Sequence, residues 1–399
     1  MKLPEAQWHQ RQSLKKVIAA LDGEHGMVRF VGGAVRDTLL GLPVADIDLA
    51  TILKPEDVMT RLKDAGINVI PTGIEHGTVT AVTPDGHVEI TTLRRDVSTD
   101  GRRATVAFSD DWKEDAARRD FTINALFANP ETLEVYDYFD GLADLEKRHI
   151  RFIGSADQRI AEDHLRIMRY FRFLARFGQH AVDQRTFDAC RKAAPELSKL
   201  SRERVADELM KLLGAADPVY AVQEMIQADV FANIVADIDP DAGQILAGLI
   251  LREEAHDIAP NPVRRLVGLL PKDMDKTAEI VTGLRFSKKL RRAVANRLTV
   301  LEPVAADIPA IAYRHGVDAA RDIALLFAAD DELQASLSKL EGWIKPVFPI
   351  TGGDLIAMGL KAGPIVAESL KVVEAAWIAE GFPDEDRVRA LASATVKRH

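Results

Sequence analysis

The spacing of apolar residues changes once along this chain, and that change limits the folds it can adopt. Residues 28 to about 150 contain short runs in which polar and apolar residues alternate, such as TVTAVT and HVEITTL. Alternation with a period of two indicates half-buried strands, and the PDG between these two runs indicates a hairpin turn. From about residue 157 onward, apolar residues recur every three or four positions, as they do in helices. The pattern predicts an α+β domain followed by a helical region.

The length of the chain predicts several domains, because 399 residues exceed what one ordinary hydrophobic core supports. We predict an α+β head over residues 1–152 and three helical parts: a neck at 153–215, a body at 216–300 and a tail at 301–399. Hydrophobic residues make up 47% of the chain and charged residues 28%, a mixture typical of proteins that fold throughout.

Cysteine usage and charge restrict the compartment and the class of protein. Cys190 is the only cysteine, so an internal disulfide is excluded and a reducing compartment, the cytoplasm, is predicted. No stretch reaches the roughly 20 apolar residues that a membrane span needs, and the first residues lack the apolar core of a signal peptide. The net charge of −9 argues against general nucleic acid binding, so a phosphate-binding surface has to be a local cluster of arginine and lysine.

The motif VGGAVRD, at residues 31–37, suggests a phosphate-binding turn. A strand that ends in Gly32 and Gly33 and turns into a helix would present backbone N–H groups and a helix N-terminus to a triphosphate. Arg36 would add a planar pair of donors for phosphate oxygens. A tight turn followed by a surface arginine explains the motif equally well.

Asp46 and Asp48 lie two residues apart, so on a strand their carboxylates face the same side. Paired carboxylates repel unless a cation lies between them, and oxygen ligands suit Mg²⁺ held together with substrate phosphates. An isolated pair of this kind more often faces water in an exposed turn. Beside the glycine turn, the pair matches two-metal transfer of a nucleotide to a 3′ hydroxyl. Glu89, on a neighbouring strand, is either a third carboxylate or the partner of a surface arginine.

A charged segment, EDHLRIMRYFR at residues 162–172, carries Asp163, Arg166, Arg169 and Arg172 at intervals of three. On a helix these residues form one ridge. A solvated face is the commoner explanation of such a ridge. One acid against three arginines favours a nearby anion.

Three segments together resemble one family. VGGAVRDTLLGLPVADIDLA, ARRDFTINALF (residues 117–127) and AEDHLRIMRYFRF (residues 161–173) are similar, in order and spacing, to motifs of the class II tRNA nucleotidyltransferases and bacterial poly(A) polymerases. The resemblance covers about residues 28–177. It implies a Mg²⁺-dependent nucleotidyltransferase that binds tRNA and uses CTP and ATP, with Arg119 contacting the nucleoside triphosphate.

The resemblance also assigns recognition of the incoming base to Asp163 and Arg166, and phosphate contacts to Arg169 and Arg172. The chemistry of the first pair agrees, because a carboxylate only accepts hydrogen bonds and a guanidinium only donates them. Cytosine and adenine present an amine beside a ring nitrogen acceptor, whereas uracil and guanine present a carbonyl beside an N–H. We therefore expect the protein itself to select C and A without a nucleic acid template.

The segments between the motifs bear on which nucleotides are added. Residues 67–82 resemble the CCA-adding branch rather than the poly(A) polymerases. TDGRR, at 99–103 in a polar segment that we predict to be a mobile loop (99–115), resembles the loop of enzymes that add the full CCA. Poly(A) addition, partial addition of CC or A, and a non-catalytic tRNA-binding protein remain alternatives.

Two segments of the helical region are candidates for tRNA binding. Residues 284–298 carry six basic residues and no acid, although a solvated helix explains them as well. Residues 350–370 resemble the tail of the same family, and a plain helix hairpin is the alternative. His256 and Asp257 raise the possibility of a metal-dependent phosphohydrolase, for which the neighbouring sequence supplies no convincing further ligands. The sequence implies no stable protein partner.

Overall fold

The computed structural model describes residues 1–100, 103–178, 182–235, 238–239, 241–271, 273–298 and 307–399, with backbone alone for 96–100 and 103–106. The chain divides into two compact units, Met1–Ala236 and Asp237–His399. The first contains strands and helices and the second contains only helices among its described residues, so the predicted α+β class is confirmed. The finer division into head, neck, body and tail stays a prediction. No helix of the described ranges is long and apolar enough to cross a membrane.

The strands of the first unit lie between residues 28 and 136. They are β1 (Val28–Val31), β2 (Ile47–Thr51), β3 (Asn68–Gly73), β4 (Thr78–Thr83), β5 (Gly86–Thr92), β6 (Arg94–Asp100), β7 (Arg103–Phe108), β8 (Phe127–Ala128) and β9 (Val135–Tyr136). Seven of them form one sheet in the order β3-β4-β5-β2-β1-β8-β9, in which only β2 and β5 pair in parallel. The predicted hairpin turn is confirmed, since Thr83 pairs with Gly86 between β4 and β5.

Strands β6 and β7 form a separate antiparallel hairpin. The predicted loop over 99–115 is wrong for most of its length, because β7 occupies Arg103–Phe108 and a helix begins at Trp112. The alternating run RATVAF pairs with β6, and this pairing outweighs the polar composition of the segment. Residues 101–102, at the centre of TDGRR, lie outside the described residues.

The described residues of the first unit also form ten α-helices. They are α1 (Gln12–Ala20), α2 (Gly33–Leu39), α3 (Pro55–Asp64), α4 (Trp112–Ala117), α5 (Gly141–Glu146), α6 (Ala156–Glu162), α7 (Leu165–Phe177), α8 (Gln184–Ala193), α9 (Arg202–Leu213) and α10 (Val219–Gln227). Helix α3 begins with Pro55 at its first position and is followed by Gly66 at φ +69°, as its sequence predicts.

An aromatic cluster attaches α7 to the end of the sheet domain. Phe121 stacks on Phe152 at 4.6 Å between ring centroids and meets Phe173 of α7 edge-on at 5.1 Å. Tyr170, also on α7, stacks against both of the first two rings at 6.4 and 6.2 Å. Because these rings are buried, they bring one face of α7 close to the glycine turn after β1.

The described residues of the second unit form ten further helices. They are α11 (Ala242–Ala255), α12 (Pro262–Leu269), α13 (Met274–Gly283), α14 (Lys288–Leu298), α15 (Ile308–His315), α16 (Val317–Phe327), α17 (Asp330–Ser338), α18 (Gly352–Ala357), α19 (Pro364–Ala379) and α20 (Glu385–Val396). One apolar core is centred on Ile323 of α16 and a second on Trp377 of α19. Within residues 350–370 the chain forms the short helix α18, a turn at Gly359 and the start of α19.

Five buried charged side chains join four helices of the second unit. Glu253 of α11 accepts hydrogen bonds from Arg264 and Arg265 of α12, at 2.8 and 2.6 Å. Asp322 of α16 accepts from Arg264 at 2.7 Å and from Arg297 of α14 at 2.7 Å. Ion pairs without access to water stabilise a fold only when every partner is present, so this network holds the four helices in one arrangement.

Candidate active site

A cavity of about 480 Å³ lies in the first unit between the turn after β1 and helix α7. This volume is in the range of small-ligand sites. The cavity is lined by Gly32, Gly33, Arg36, Asp48, Arg118, Arg119, Asp120, Asn124, Asp163, Arg166, Arg169, Arg172, Phe173 and Arg176. Every predicted site residue except Asp46 therefore borders one space.

The turn after β1 depends on Gly32. Its backbone lies at φ +67° and ψ −123°, a conformation that residues with a Cβ rarely adopt. The N–H of Gly32 donates to the carbonyl of Leu126 at 3.1 Å, so it is not among the free donors that the motif predicted. Helix α2 begins at Gly33, and the N–H groups of its first turn have no carbonyl of their own helix to bind.

Arg36 is buried in the cavity wall, and its donors are directed at protein atoms. Nε and Nη2 approach Asp37 Oδ1 at 2.8 and 2.7 Å, and Nη1 donates to Asn124 Oδ1. The guanidinium lies 4.3 Å from the ring of Phe177. Burial lowers the pKa of Arg36, although Asp37 opposes the shift. The observed contacts fix α2 against α7, and a phosphate contact by Arg36 stays a prediction.

The acidic residues lie at the start of β2. Asp46 is exposed just before the strand, and Asp48 within it faces the cavity. Glu89 of β5 is the register partner of Asp48 in the parallel pair. Burial and the Glu89 carboxylate raise the pKa of Asp48 to about 6, with a further contribution from Asp46 and an opposing one from Arg119. Neighbouring carboxylates that repel one another suit a divalent cation.

The acidic side chains at this site do not by themselves complete the coordination of a metal ion. In the part of the chain that the structure describes, no group of three histidine, cysteine or acidic side chains could hold a metal. An ion at Asp46 and Asp48 would therefore complete its coordination with water and substrate phosphates, as Mg²⁺ commonly does.

Three arginines that line the cavity each contact the carboxylate of an acidic residue. Arg119 donates to Asp115 Oδ2 at 2.9 Å, Arg169 to Asp120 Oδ2 at 2.7 Å, and Arg172 Nε lies 2.8 Å from Glu208 Oε2. We call Asp115, Asp120 and Glu208 the backing carboxylates. The count of one acid against three arginines was therefore wrong as a measure of charge balance. Glu162 pairs with Arg166 within the same segment, and Asp120 and Glu208 come from other segments of the chain.

Burial opposes ionisation of Asp120, but Arg169 and two hydrogen-bond donors outweigh it and lower the pKa of this carboxyl. The donors are the Asn124 side chain at 3.1 Å and the Phe121 N–H at 2.9 Å. Asp120 is therefore ionised and directs Arg169 along the cavity wall. Asp120 lies within the motif ARRDFTINALF, but nothing in the sequence indicated that it pairs with Arg169, 49 residues away.

Asp163 departs from the predicted helical ridge. Helix α6 ends at Glu162 and α7 begins at Leu165, so Asp163 lies in the break with an extended backbone, φ −153° and ψ 105°. Arg166 begins the cavity face of α7, and its Nη1 donates to Glu162 Oε2 at 2.5 Å and to the carbonyl of Arg159 at 2.8 Å. The break takes the backbone of Asp163 out of the helical path of the α7 arginines.

Sequence reasoning missed several residues of the cavity. Arg176 follows Arg172 by four residues, so it continues the arginine stripe of α7, and this spacing was a signal that could have found it. It pairs with Asp37 of α2 at 3.0 Å. The other missed lining residues are Arg118, Asp120, Asn124 and Phe173. Phe173 is buried, and its ring centroid lies 4.5 Å from the guanidinium carbon of Arg172.

The six basic residues of the segment 284–298 do not all lie on the surface. Five of its six bases are exposed: Arg285, Lys288, Lys289, Arg291 and Arg292. Arg297 is instead buried and paired with Asp322, so its expected place on a phosphate-binding surface was wrong. The five exposed bases, which we call the α14 basic face, remain a local positive cluster in an acidic protein.

Comparison with known proteins agrees with this geometry. The family model described as the poly A polymerase head domain matches residues 28–151, and the one described as the probable RNA and SrmB-binding site of polymerase A matches residues 181–241. The solved structure of the Bacillus stearothermophilus CCA-adding enzyme in complex with CTP is similar, with a TM-score of 0.74 and 26% identity over 97% of this chain and 99% of that one.

Relatives match along nearly the whole chain. The mitochondrial CCA tRNA nucleotidyltransferase 1 of Mus musculus is 33% identical over 394 residues, which are 95% of this chain and 89% of the relative. The CCA-adding enzyme of Streptococcus suis (strain 05ZYH33) is 33% identical over 86% of this chain and 87% of its own length. The motifs, the head-domain match and these relatives agree, and the chain belongs to the class II tRNA nucleotidyltransferases, the family of the CCA-adding enzymes.

Proposed function

We propose that this nucleotidyltransferase adds C, C and A to the 3′ end of tRNA, from CTP and ATP and without a nucleic acid template. The supporting observation is a single cavity that combines a glycine turn, the Asp48 carboxylate beside Glu89, and the arginine face of α7. The relatives named as CCA-adding enzymes along nearly the full chain support full addition of CCA over poly(A) addition.

The family generally uses divalent metal ions, and we propose Mg²⁺ held by Asp46 and Asp48. When bound, the ions would favour ionisation of the primer 3′ hydroxyl and stabilise the negative charge on the departing pyrophosphate. The position of Asp48 on β2, facing the cavity beside Glu89, supports this role. The free N–H groups at the start of α2, from Gly33 onward, would receive phosphate oxygens.

Arg119, Arg169 and Arg172 would bind the triphosphate. The backing carboxylates hold each guanidinium in a fixed direction, so little reorganisation is needed as charge develops during transfer. Each arginine has five N–H donors, of which the backing contacts occupy only part. All three arginines line the cavity.

Base selection is assigned to Asp163 and Arg166, so Arg166→Ala is expected to lower the preference for CTP over UTP. Removing the guanidinium removes a donor that pairs with the ring nitrogen of cytosine, at a cost of about 1–3 kcal/mol in discrimination. The ratio of kcat/KM values for CTP and UTP on a tRNA lacking its CCA end measures this. An unchanged ratio would contradict the role of Arg166 in base selection.

The α14 basic face is proposed to bind tRNA phosphates, so Lys288→Gln/Lys289→Gln is expected to weaken tRNA binding. Loss of two phosphate contacts should lower the slope of log affinity against log salt by about 1–2 and weaken binding roughly tenfold at low salt. A filter-binding titration at several salt concentrations measures both effects. The matched control is Lys15→Gln/Lys16→Gln on α1, another exposed lysine pair. Equal effects of the two double variants would show that only net charge matters.

An incorporation assay tests the proposed function as a whole. Purified protein, Mg²⁺ and labelled CTP or ATP are incubated with tRNA lacking its CCA end, and products are resolved at single-nucleotide length. Addition of two C residues and one A supports the proposal. Long A tracts would select poly(A) polymerase, a stop after CC or a need for tRNA ending in CC would select partial addition, and tRNA binding without elongation would select a non-catalytic protein.

The cytoplasm is the proposed location. The only cysteine, Cys190, is buried and unpaired, which suits a reducing compartment. Fractionation of cells that produce the protein, with a cytosolic marker beside it, tests this location.

A further inference from the structure

The carboxylate of Asp163 is held on both oxygens. Oδ1 accepts a hydrogen bond from the backbone N–H of Leu165 at 3.0 Å, in the first turn of α7. Oδ2 accepts from Nη2 of Arg204 at 2.9 Å. A carboxylate offers roughly four lone-pair positions. Two are taken by these donors, so two remain for a ligand in the cavity.

Arg204 comes from α9, 41 residues further along the chain, and it is not a lining residue of the cavity. One turn further on the same face of α9, Glu208 lies 2.8 Å from Arg172 and 3.9 Å from Arg169. Helix α9 is therefore joined by charged pairs to α7 through Glu208 and to the break before α7 through Arg204. Glu208 is buried, so the position of Arg204 relative to Asp163 is well defined.

We propose that Arg204 is a positioning residue for nucleotide selection, which holds the Asp163 carboxylate in the orientation that accepts from the amine of cytosine or adenine. This proposal rests on the function proposed above. Asp163 lies in the break between α6 and α7, where the Leu165 N–H holds only one of its two oxygens. The Arg204 contact holds the other oxygen and completes the restraint on the carboxylate.

The orientation of the Asp163 carboxylate matters because a wrong base is rejected when it leaves this carboxylate without a hydrogen-bond donor. A fixed carboxylate oxygen that meets the carbonyl of uracil or guanine finds no donor, and the buried mismatch is unfavourable. A carboxylate that can rotate turns away or admits a bridging water, which supplies the missing donor and removes most of the penalty. Loss of Arg204 should therefore help the wrong nucleotides more than it harms the correct ones.

The test compares wild type, Arg204→Ala, Arg204→Lys, Asp163→Asn and the double variant Asp163→Asn/Arg204→Ala. The kcat/KM values for CTP and UTP are measured on tRNA lacking CCA, and those for ATP and GTP on tRNA ending in CC. We expect Arg204→Ala to lower the CTP-to-UTP ratio roughly tenfold, mainly through faster use of UTP. Arg204→Lys, which keeps a cationic donor, should restore part of the ratio.

The double variant separates positioning from a general structural effect. If Arg204 acts through Asp163, the double variant should discriminate no worse than Asp163→Asn alone, because the carboxylate is already gone. A double variant whose loss of discrimination equals the sum of the two single-variant losses would overturn the proposal. So would an Arg204→Ala variant that loses kcat equally with all four nucleotides at an unchanged ratio.

Two comparisons keep the conclusion specific. Lys211→Ala changes an exposed residue of the same helix, paired with Asp207 at 2.6 Å, and should leave the ratio as in wild type. A wild-type protein that adds no nucleotide, or an Asp163→Asn variant that selects as wild type does, would contradict the proposed function itself. A normal wild type and a relaxed Asp163→Asn variant beside an unaffected Arg204→Ala variant would contradict only the role of Arg204.

Discussion

Asp48→Asn is expected to reduce nucleotide incorporation by about a thousandfold, because a metal ion contributes several kcal/mol of transition-state stabilisation and asparagine is a poor ligand for it. The fold should be retained. Burial and Glu89 raise the pKa of Asp48 to about 6, so at pH 7 the folded protein holds a carboxylate whose charge its surroundings disfavour. A raised pKa in an acid means that the charged form opposes folding above that pKa, and the neutral amide removes this effect.

Two measurements check this expectation together. Incorporation of labelled CTP into tRNA lacking CCA should fall to near background, while tRNA binding stays within a factor of about two, since Asp48 is remote from the α14 basic face in sequence and in role. In a metal chelator, thermal unfolding of Asp48→Asn should occur at the wild-type temperature or above. The matched control is Asp64→Asn, at the exposed end of α3. Retained activity in Asp48→Asn, or equal loss in both variants, would contradict a metal-binding role.

Asp322→Ala is expected to destabilise the second unit by about 3–5 kcal/mol, because it leaves buried guanidinium groups without their partner. Asp322 Oδ1 lies 2.7 Å from Arg264 and Oδ2 lies 2.6 Å from Arg297. The side chains of Asp322 and Arg264 are each only 2% exposed, so water cannot replace the lost contact. Urea unfolding followed by circular dichroism measures the loss, and amide exchange in α12, α14 and α16 locates it.

The same helix provides the control for this variant. Asp318 also lies on α16 and also pairs with an arginine, Arg321, at 3.3 Å, but its side chain is 85% exposed. Asp318→Ala should change the free energy of unfolding by less than about 1 kcal/mol, as exposed pairs generally do. Similar effects of the two variants would show that the buried network contributes no more than a surface ion pair.

Several parts of the site could be predicted from the order of the residues alone. The alternation of TVTAVT and HVEITTL predicted paired strands with a hairpin turn, because side-chain direction alternates along a strand. Asp46 and Asp48 could be recognised as a pair for the same reason. The arginine stripe of α7 followed from helical spacing, and that spacing also extends to Arg176. These features are local, so a short window of sequence is enough to determine them.

Other features of the site could not be predicted from short segments of the sequence. Asp120 and Glu208 pair with arginines of α7 from distant parts of the chain, and only the tertiary packing brings them there. Asp115 is instead a local partner of Arg119, four residues away. Arg297 belongs by composition to a basic surface, yet the structure buries it against Asp322. Asp163 leaves the helical ridge because α6 ends one residue before it.

The sequence by itself predicted the paired strands β4 and β5, the glycine turn, the arginine stripe of α7 and the family motifs, because each depends on neighbours a few residues away. Only the tertiary structure decided which charges face the cavity and which are neutralised behind it. The reason is physical: the energy of a charge depends on what surrounds it in space, and contacts such as Arg204 with Asp163 join residues 41 positions apart.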